Sequence, residues 1–260
     1  MDFSYTISGF VVGFIVGLTG VGGGSLMTPL LMFIYGISPA VAVGTDLLYA
    51  AVTKAGGSWV HARRGNVNWR VAGQLGLGSI PTAIATTLVI HFLNPDTHIL
   101  TAIITSTLGV ALILTALVLL FREPLRDYAR RRFSNKPDWS ERRVAITTVI
   151  TGIFLGIVVT LSSVGAGALG TAVLFFLHSR LSMVQIVGTD IVHAVPLTLV
   201  AGLGHASLGT VNWVLLASLL LGSLPGIYLG SNVSSRIPEW ILRPVLAGML
   251  ILIGAKLILA

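Results

Sequence analysis

"AVGTDLLYAAVTK", residues 42–54, sets the architecture of this chain because it recurs. Residues 186–198 read "IVGTDIVHAVPLT", which moves Gly-Thr-Asp by 144 positions (190 − 46). At the same offset "HARRGNVNW" (61–69) returns as "HASLGTVNW" (205–213), and "LGSIP" (77–81) returns as "LGSLP" (221–225). Upstream, "GVGGGSLMT" (20–28) matches "SVGAGALGT" (163–171) with one residue of slippage. Several matches in one register indicate an internal duplication, a sign of transporter-like repeats in an apolar chain.

The composition places that duplication in a bilayer. The chain is 54% hydrophobic and 10% charged, against about a quarter charged in soluble domains. Apolar runs fill 3–34, 71–90, 97–121, 144–177, 211–231 and 244–255. They are apolar on all sides, which excludes the alternating pattern of a membrane barrel. The expected fold is an all-α polytopic membrane protein. Residues 1–121 form a first repeat, 122–143 a basic cytoplasmic linker, and 144–260 a second repeat. The N-terminus lacks a basic n-region and reads as the start of a mature chain. With no cysteine, disulfides and thiol chemistry are excluded. The net charge of +7 comes from loop Lys and Arg flanking the spans, a membrane-orientation signal rather than a nucleic-acid footprint.

Each repeat has four pieces: a long glycine-centred stretch, the GTD segment, and two plain spans. The first piece, 3–34 or 144–177, is long for one crossing and short for two, since about 20 residues cross the hydrocarbon once. A glycine-broken hairpin fits, and the second repeat is then inverted relative to the first. With 122–143 inside, Arg63, Arg64, Arg70, Arg180, Arg236 and Arg243 all fall on the cytoplasmic side, and Lys256 and the C-terminus fall outside.

The candidate site lies where the broken pieces meet. Gly22, Gly23, Gly24, Ser25 and Thr28 in one loop, with Ser163, Gly165 and Gly167 in the other, offer backbone N–H groups at half-helix N-termini, which favour anions. Lys54, matched by Thr198, is a cation deep in a span and a partner for Asp46, Asp190 or an anionic ligand. Asp46 and Asp190 are read as helix caps or structural ion-pair partners, as proton carriers, or as cation ligands. Thr45, Thr189, Tyr49 and His193 complete the lining, with His193 a third proton-coupling candidate. Phe33, Tyr49 and Phe175 are candidates for an apolar wall. Asn68 and Asn212 are read as caps, and His61, His205, Trp69 and Trp213 as interfacial residues. There is no Walker A motif and no metal-binding spacing, so no cofactor, metal or ATP is expected.

These stretches, "GLTGVGGGSLMTPLL", "AVGTDLLYAAVTKAGGSWVHARRGNVNWR" and "LGSIP", resemble the TauE/SafE sulfite exporter family, also called the 4-toluene sulfonate uptake permease family. The resemblance runs through both halves. It implies transport of a small sulfur-containing anion (sulfonate, sulfite, thiosulfate or sulfoacetate) across the bacterial inner membrane. Many members carry serine where this chain has Asp46 and Asp190. The expected activity is therefore non-enzymatic: proton-coupled secondary transport by alternating access, one bundle moving against the other. The alternative is a cation/proton antiporter using Asp46 and Asp190. The expected partners are the anion, H⁺ and the lipid bilayer, with no nucleic acid and a homodimer left open.

Overall fold

The computed structural model describes residues 3–19, 24–93, 95–133, 140–233 and 239–259. All the regular structure among them is helical, in the order α1 (Phe3–Thr19), α2 (Gly24–Tyr35), α3 (Pro39–Arg63), α4 (Trp69–Leu93), α5 (Thr97–Leu120), α6 (Arg122–Phe133), α7 (Glu141–Ser162), α8 (Leu169–Leu177), α9 (Met183–Ser207), α10 (Trp213–Val233) and α11 (Glu239–Leu259). Helices are what an apolar solvent demands, because each satisfies its own backbone polar groups. Five of them are long and apolar enough to cross a membrane: α4, α5, α7, α9 and α10. Large apolar side chains such as Ile150, Leu221 and Leu252 point outward, as a lipid-facing surface requires.

The expected break in each first piece is present. In the first repeat α1 and α2 flank the glycine run, and in the second α7 ends at Ser162 and α8 starts at Leu169. Both pieces double back. The Tyr35 hydroxyl donates to the Ser4 carbonyl and pairs with Ser8 at 2.7 Å, tying the end of α2 to the start of α1. At the matched place (178 − 35 = 143) His178 meets Thr148 at 3.0 Å, tying the end of α8 to the first turns of α7. The arms are unequal: α8 has 9 residues against 12 in α2. The linker read at 122–143 contains α6, and α7 begins within it.

Local signals set the remaining boundaries. Ser38 precedes Pro39, which opens α3 with its φ preset and no N–H to satisfy. Ser182 and Gln185 form a capping box at the start of α9. Asn68 and Asn212 accept from the amides of Val71 and Leu215 and so cap α4 and α10, as expected. The turns between them match bond for bond, with Gly65 and Gly209 in the left-handed region at φ 68° and 72°.

The repeats interlock. A Cβ added at Gly9, Gly13 or Gly17 of α1 would strike the α10 backbone near Leu219, Ser223 and Ile227. The same holds for Gly222, Gly226 and Gly230 of α10 against α1. The pair α4 and α7 repeats this contact through Gly78, Gly152 and Gly156. Such backbone approach is how membrane helices associate when apolar burial offers no driving force. In both pairs residue numbers rise together, so the helices run parallel. In contrast, α3 and α9 run antiparallel: Gly202 faces Leu48, Gly44 faces Thr210, and Gly188 faces Asn66. Their interface, with Val43, Leu47, Ala194, Leu197 and Ala201 fully buried, forms the centre of the core.

Candidate functional site

The Gly-Thr-Asp segments begin the site, and each of their residues has a separate contact. Gly44 and Gly188 lack a Cβ because the opposite repeat's turn lies against them, at Thr210 and Asn66 respectively. Thr45 Oγ1 accepts from the Asn212 amide at 3.1 Å, and Thr189 Oγ1 accepts from the Asn68 amide at 2.9 Å. These two clasps are reciprocal, each repeat holding the other's helix cap. The structure therefore places Thr45 and Thr189 on the clasps, turned away from the aspartates' partners.

The aspartates lie inside their helices. Asp46 is the eighth residue of α3, which starts at Pro39, and Asp190 the eighth of α9, which starts at Met183. Neither caps its own helix, which corrects the capping alternative: Ser38 and Ser182 hold those positions. Each carboxylate instead faces the second arm of its own hairpin. Thr28 of α2 donates its hydroxyl to Asp46 Oδ2 at 2.5 Å. The backbone amides of Gly167 and Thr171 face Asp190 at the start of α8, beyond strict hydrogen-bond reach. Gly170 is glycine there because a Cβ would overlap the Asp190 carboxylate. Both aspartates are fully buried.

Lys54 joins the two. Its Nζ donates to the Ala166 carbonyl in the loop before α8 at 2.9 Å, and its charge is close enough to act on both Asp46 and Asp190. A buried ammonium near two carboxylates meets the rule that intramembrane charges are paired. Ser163 is held at φ 59° where α7 ends, with its side chain directed toward Asp46. Gly165 and Gly167 adopt φ of 117° and 128°, values that L side chains rarely take. On the other side of Asp190, His193 Nδ1 lies 4.0 Å from Oδ1, and His193 Nε2 meets Ser79 Oγ of α4 at 2.8 Å. Tyr49 stands at the matched position in α3, and its buried hydroxyl faces Ser223 without bonding to it.

The structure thus gathers Thr28, Asp46, Lys54, Ser163, Gly167, Asp190 and His193. Gly22 and Gly23 lie outside the described residues. Gly24 opens α2, and Ser25 is buried beside it. Phe33 is part-exposed beneath Lys256, 4.5 Å from its ring centre, far along α2 from Thr28. His205 is buried in the protein at the end of α9, bonded to Thr210 and to the Thr160 carbonyl. Sequence reasoning missed Ser79 and Thr171. The repeated "LGS" (77–79, 221–223) and the threonine shared at 28 and 171 held the signal for both. Among the described residues no cluster of three or more His, Asp or Glu is arranged to hold a metal.

Two cavities open at opposite ends of α9. One of about 370 Å³ is lined by Phe175, Arg180, Met183 and Gln185. The other, about 270 Å³, is lined by His91, Leu100, His205 and Thr210. The site lies between them along a helix of 25 residues, about 37 Å long.

Comparison with known proteins agrees in extent. The family model described as "Sulfite exporter TauE/SafE" matches residues 5–257. The probable membrane transporter protein YjnA of Bacillus subtilis is 38% identical over 99% of this chain and all of its own length. The probable membrane transporter protein YdhB of the same organism is 28% identical over 94% of this chain and 97% of its own. A probable membrane transporter protein of Methanocaldococcus jannaschii, MJ0441, is 26% identical over 97% of this chain and 94% of its own. No solved structure matches. A match running through both repeats, hairpins and GTD helices together, leaves one conclusion: the chain belongs to the sulfite exporter TauE/SafE family.

Proposed function

We propose that the protein is a secondary transporter that carries a small sulfur-containing anion, a sulfonate or sulfur oxyanion, across the bacterial cytoplasmic membrane with protons. The observation that carries this reading is Lys54, a buried ammonium at a hairpin end, flanked by two buried carboxylates. The ammonium and the amides at the start of α8 form one electropositive centre. Asp46 and Asp190 already claim it. An incoming anion competes for the same charge, and like charges in a low dielectric repel strongly. Binding is relieved when a carboxylate takes up a proton, so anion and proton enter together. The family and the names of its relatives support transport.

The two repeats, 1–121 and 144–260, are inverted in this reading, with the 122–143 linker in the cytoplasm. The antiparallel α3–α9 pair and the reciprocal clasps support it. A two-fold axis that relates antiparallel spanning helices lies in the membrane plane. The exposed Arg70–Glu141 contact at 3.1 Å puts the start of α4 beside the start of α7. The cavities at the two ends of α9 are the two mouths between which access alternates.

The test is thermal stabilisation of the purified protein, since a ligand that binds the folded state raises its melting temperature by mass action. Sulfite, thiosulfate, sulfoacetate, taurine and toluenesulfonate are compared with phosphate and sodium at two pH values. Selective stabilisation by one sulfur anion is expected. Stabilisation by sodium alone would favour the second reading, a cation/proton antiporter built on the unpaired carboxylate oxygens of Asp46 and Asp190.

A further inference from the structure

The two aspartates come from one duplicated site, yet their surroundings differ. Asp46 is anchored at one oxygen: Thr28 gives its hydroxyl to Oδ2, and only Oδ1 is left without a partner. The matched threonine, Thr171, turns only its backbone amide toward Asp190 and withholds its hydroxyl. Its hydroxyl turns back onto the carbonyls of Gly167 and Ala168, at 2.6 and 2.9 Å. Both oxygens of Asp190 are buried and neither accepts a side-chain hydrogen bond; the Gly167 and Thr171 amides face them. His193 Nδ1, also buried and unpaired, is 4.0 Å from Oδ1. Unpaired buried polar atoms are costly, and here two groups that can exchange one proton lie about 1 Å beyond hydrogen-bond distance. His193 is already bonded at its far nitrogen, to Ser79. At the matched place beside Asp46 the chain has Tyr49, which offers no such relay.

We propose that the duplicated carboxylates have divided their labour: Asp190 takes and releases the coupling proton, His193 delivers it, and Asp46 stays ionised as the fixed counter-charge of Lys54. When the pair closes from 4.0 Å to hydrogen-bond distance, the imidazole yields the proton on Nδ1 to Asp190 Oδ1 and takes one at Nε2 from the Ser79 hydroxyl, which is reprotonated from solvent, so one H⁺ in all passes from water to the carboxylate. The groups facing Asp190 are Lys54 from α3, the amides of Gly167 and Thr171 at the start of α8, and His193 on its own helix. Asp46 lies beyond Lys54. His193 is a positioning and relay residue, and the substrate's site is left to Lys54 and the hairpins. The inference rests on the proton-coupled reading above.

The test is pH-stepped infrared difference spectroscopy of the whole protein in lipid, following the C=O stretch of a protonated buried carboxyl group. No substrate is involved, so this result and the anion panel can fail independently. Wild type is expected to show one such band appearing as the pH falls. Asp190→Asn abolishes it and Asp46→Asn keeps it. Thr28→Val leaves it in place. His193→Gln retains the band and moves its midpoint by about one pH unit or more, the coupling expected of adjacent titrating groups. The last two variants keep both carboxylates and near-native volume, so they decide the matter even if an aspartate variant fails to fold. A band that survives Asp190→Asn, no band at all, or a His193→Gln midpoint equal to wild type overturns the proposal.

Discussion

At the scale of single residues, the two Gly-Thr-Asp triplets each do three jobs. Glycine admits the opposite turn, threonine holds the amide of the helix cap that ends that turn, and aspartate faces its own hairpin. The divergence between the repeats should be measurable. Thr28→Val should cost about 1.5–3 kcal/mol, the range for a hydrogen bond to a charged group. Thr171→Val, whose hydroxyl only back-bonds to its own turn, should cost less than about 1 kcal/mol. Chemical denaturation in detergent compares them. Lys54→Met should destabilise by about 3–5 kcal/mol, because it strands two buried carboxylates. Adding Asp190→Asn to that variant should recover part of the melting temperature without recovering anion binding. Lys54 and the aspartates stood out in the sequence because charge is rare in an apolar run. Thr28, Ser163, Gly167 and His193 were legible as lining residues, but which of them meets which carboxylate was not. Which hydroxyl a buried carboxylate meets depends on a hairpin folding back from another part of the chain, and nothing near Asp46 in the sequence points to Thr28.

At the scale of elements, the broken first piece was legible because its length and its central glycines conflict with a single straight span. The caps at Asn68 and Asn212 were legible as local chemistry. Partner choice was not. Helices apolar on every side carry no amphipathic signal to say which face meets what. The spacing Gly9, Gly13, Gly17 was the available clue to α1 and α10, since small residues four apart mark close helix contacts. Gly13→Leu and Gly226→Leu each push a side chain into opposing backbone and should lower stability by about 1–3 kcal/mol or more. Gly73→Ala, in a helix with open space beside it, should be neutral or stabilising by up to about 1 kcal/mol. Melting temperatures of the three variants check this difference.

At the scale of the whole molecule, duplication was readable from the register of 144 residues, but its mechanical consequence was not. The expectation of one bundle moving against the other did not say which helices form each bundle. In the structure α1 is locked to α10 and α4 to α7, so each repeat lends its first helix to the other. If access alternates as proposed, the moving unit takes helices from both repeats. The inverted arrangement predicts that the C-terminus and Lys256 face outside while residues 122–133 face the cytoplasm. The chain has no native cysteine, so single cysteines labelled with a membrane-impermeant maleimide report this directly. Labelling of the C-terminus only after lysis would reverse the topology.

The central claim is that anion and proton enter together, because substrate and aspartate compete for the charge of Lys54. The most direct measurement is calorimetric titration of the purified protein with a fully ionised sulfonate such as toluenesulfonate, in two buffers of different ionisation enthalpy. The account predicts net proton uptake on anion binding, lost in Lys54→Met together with the binding itself. Anion binding with no proton uptake, or with proton release, would contradict it.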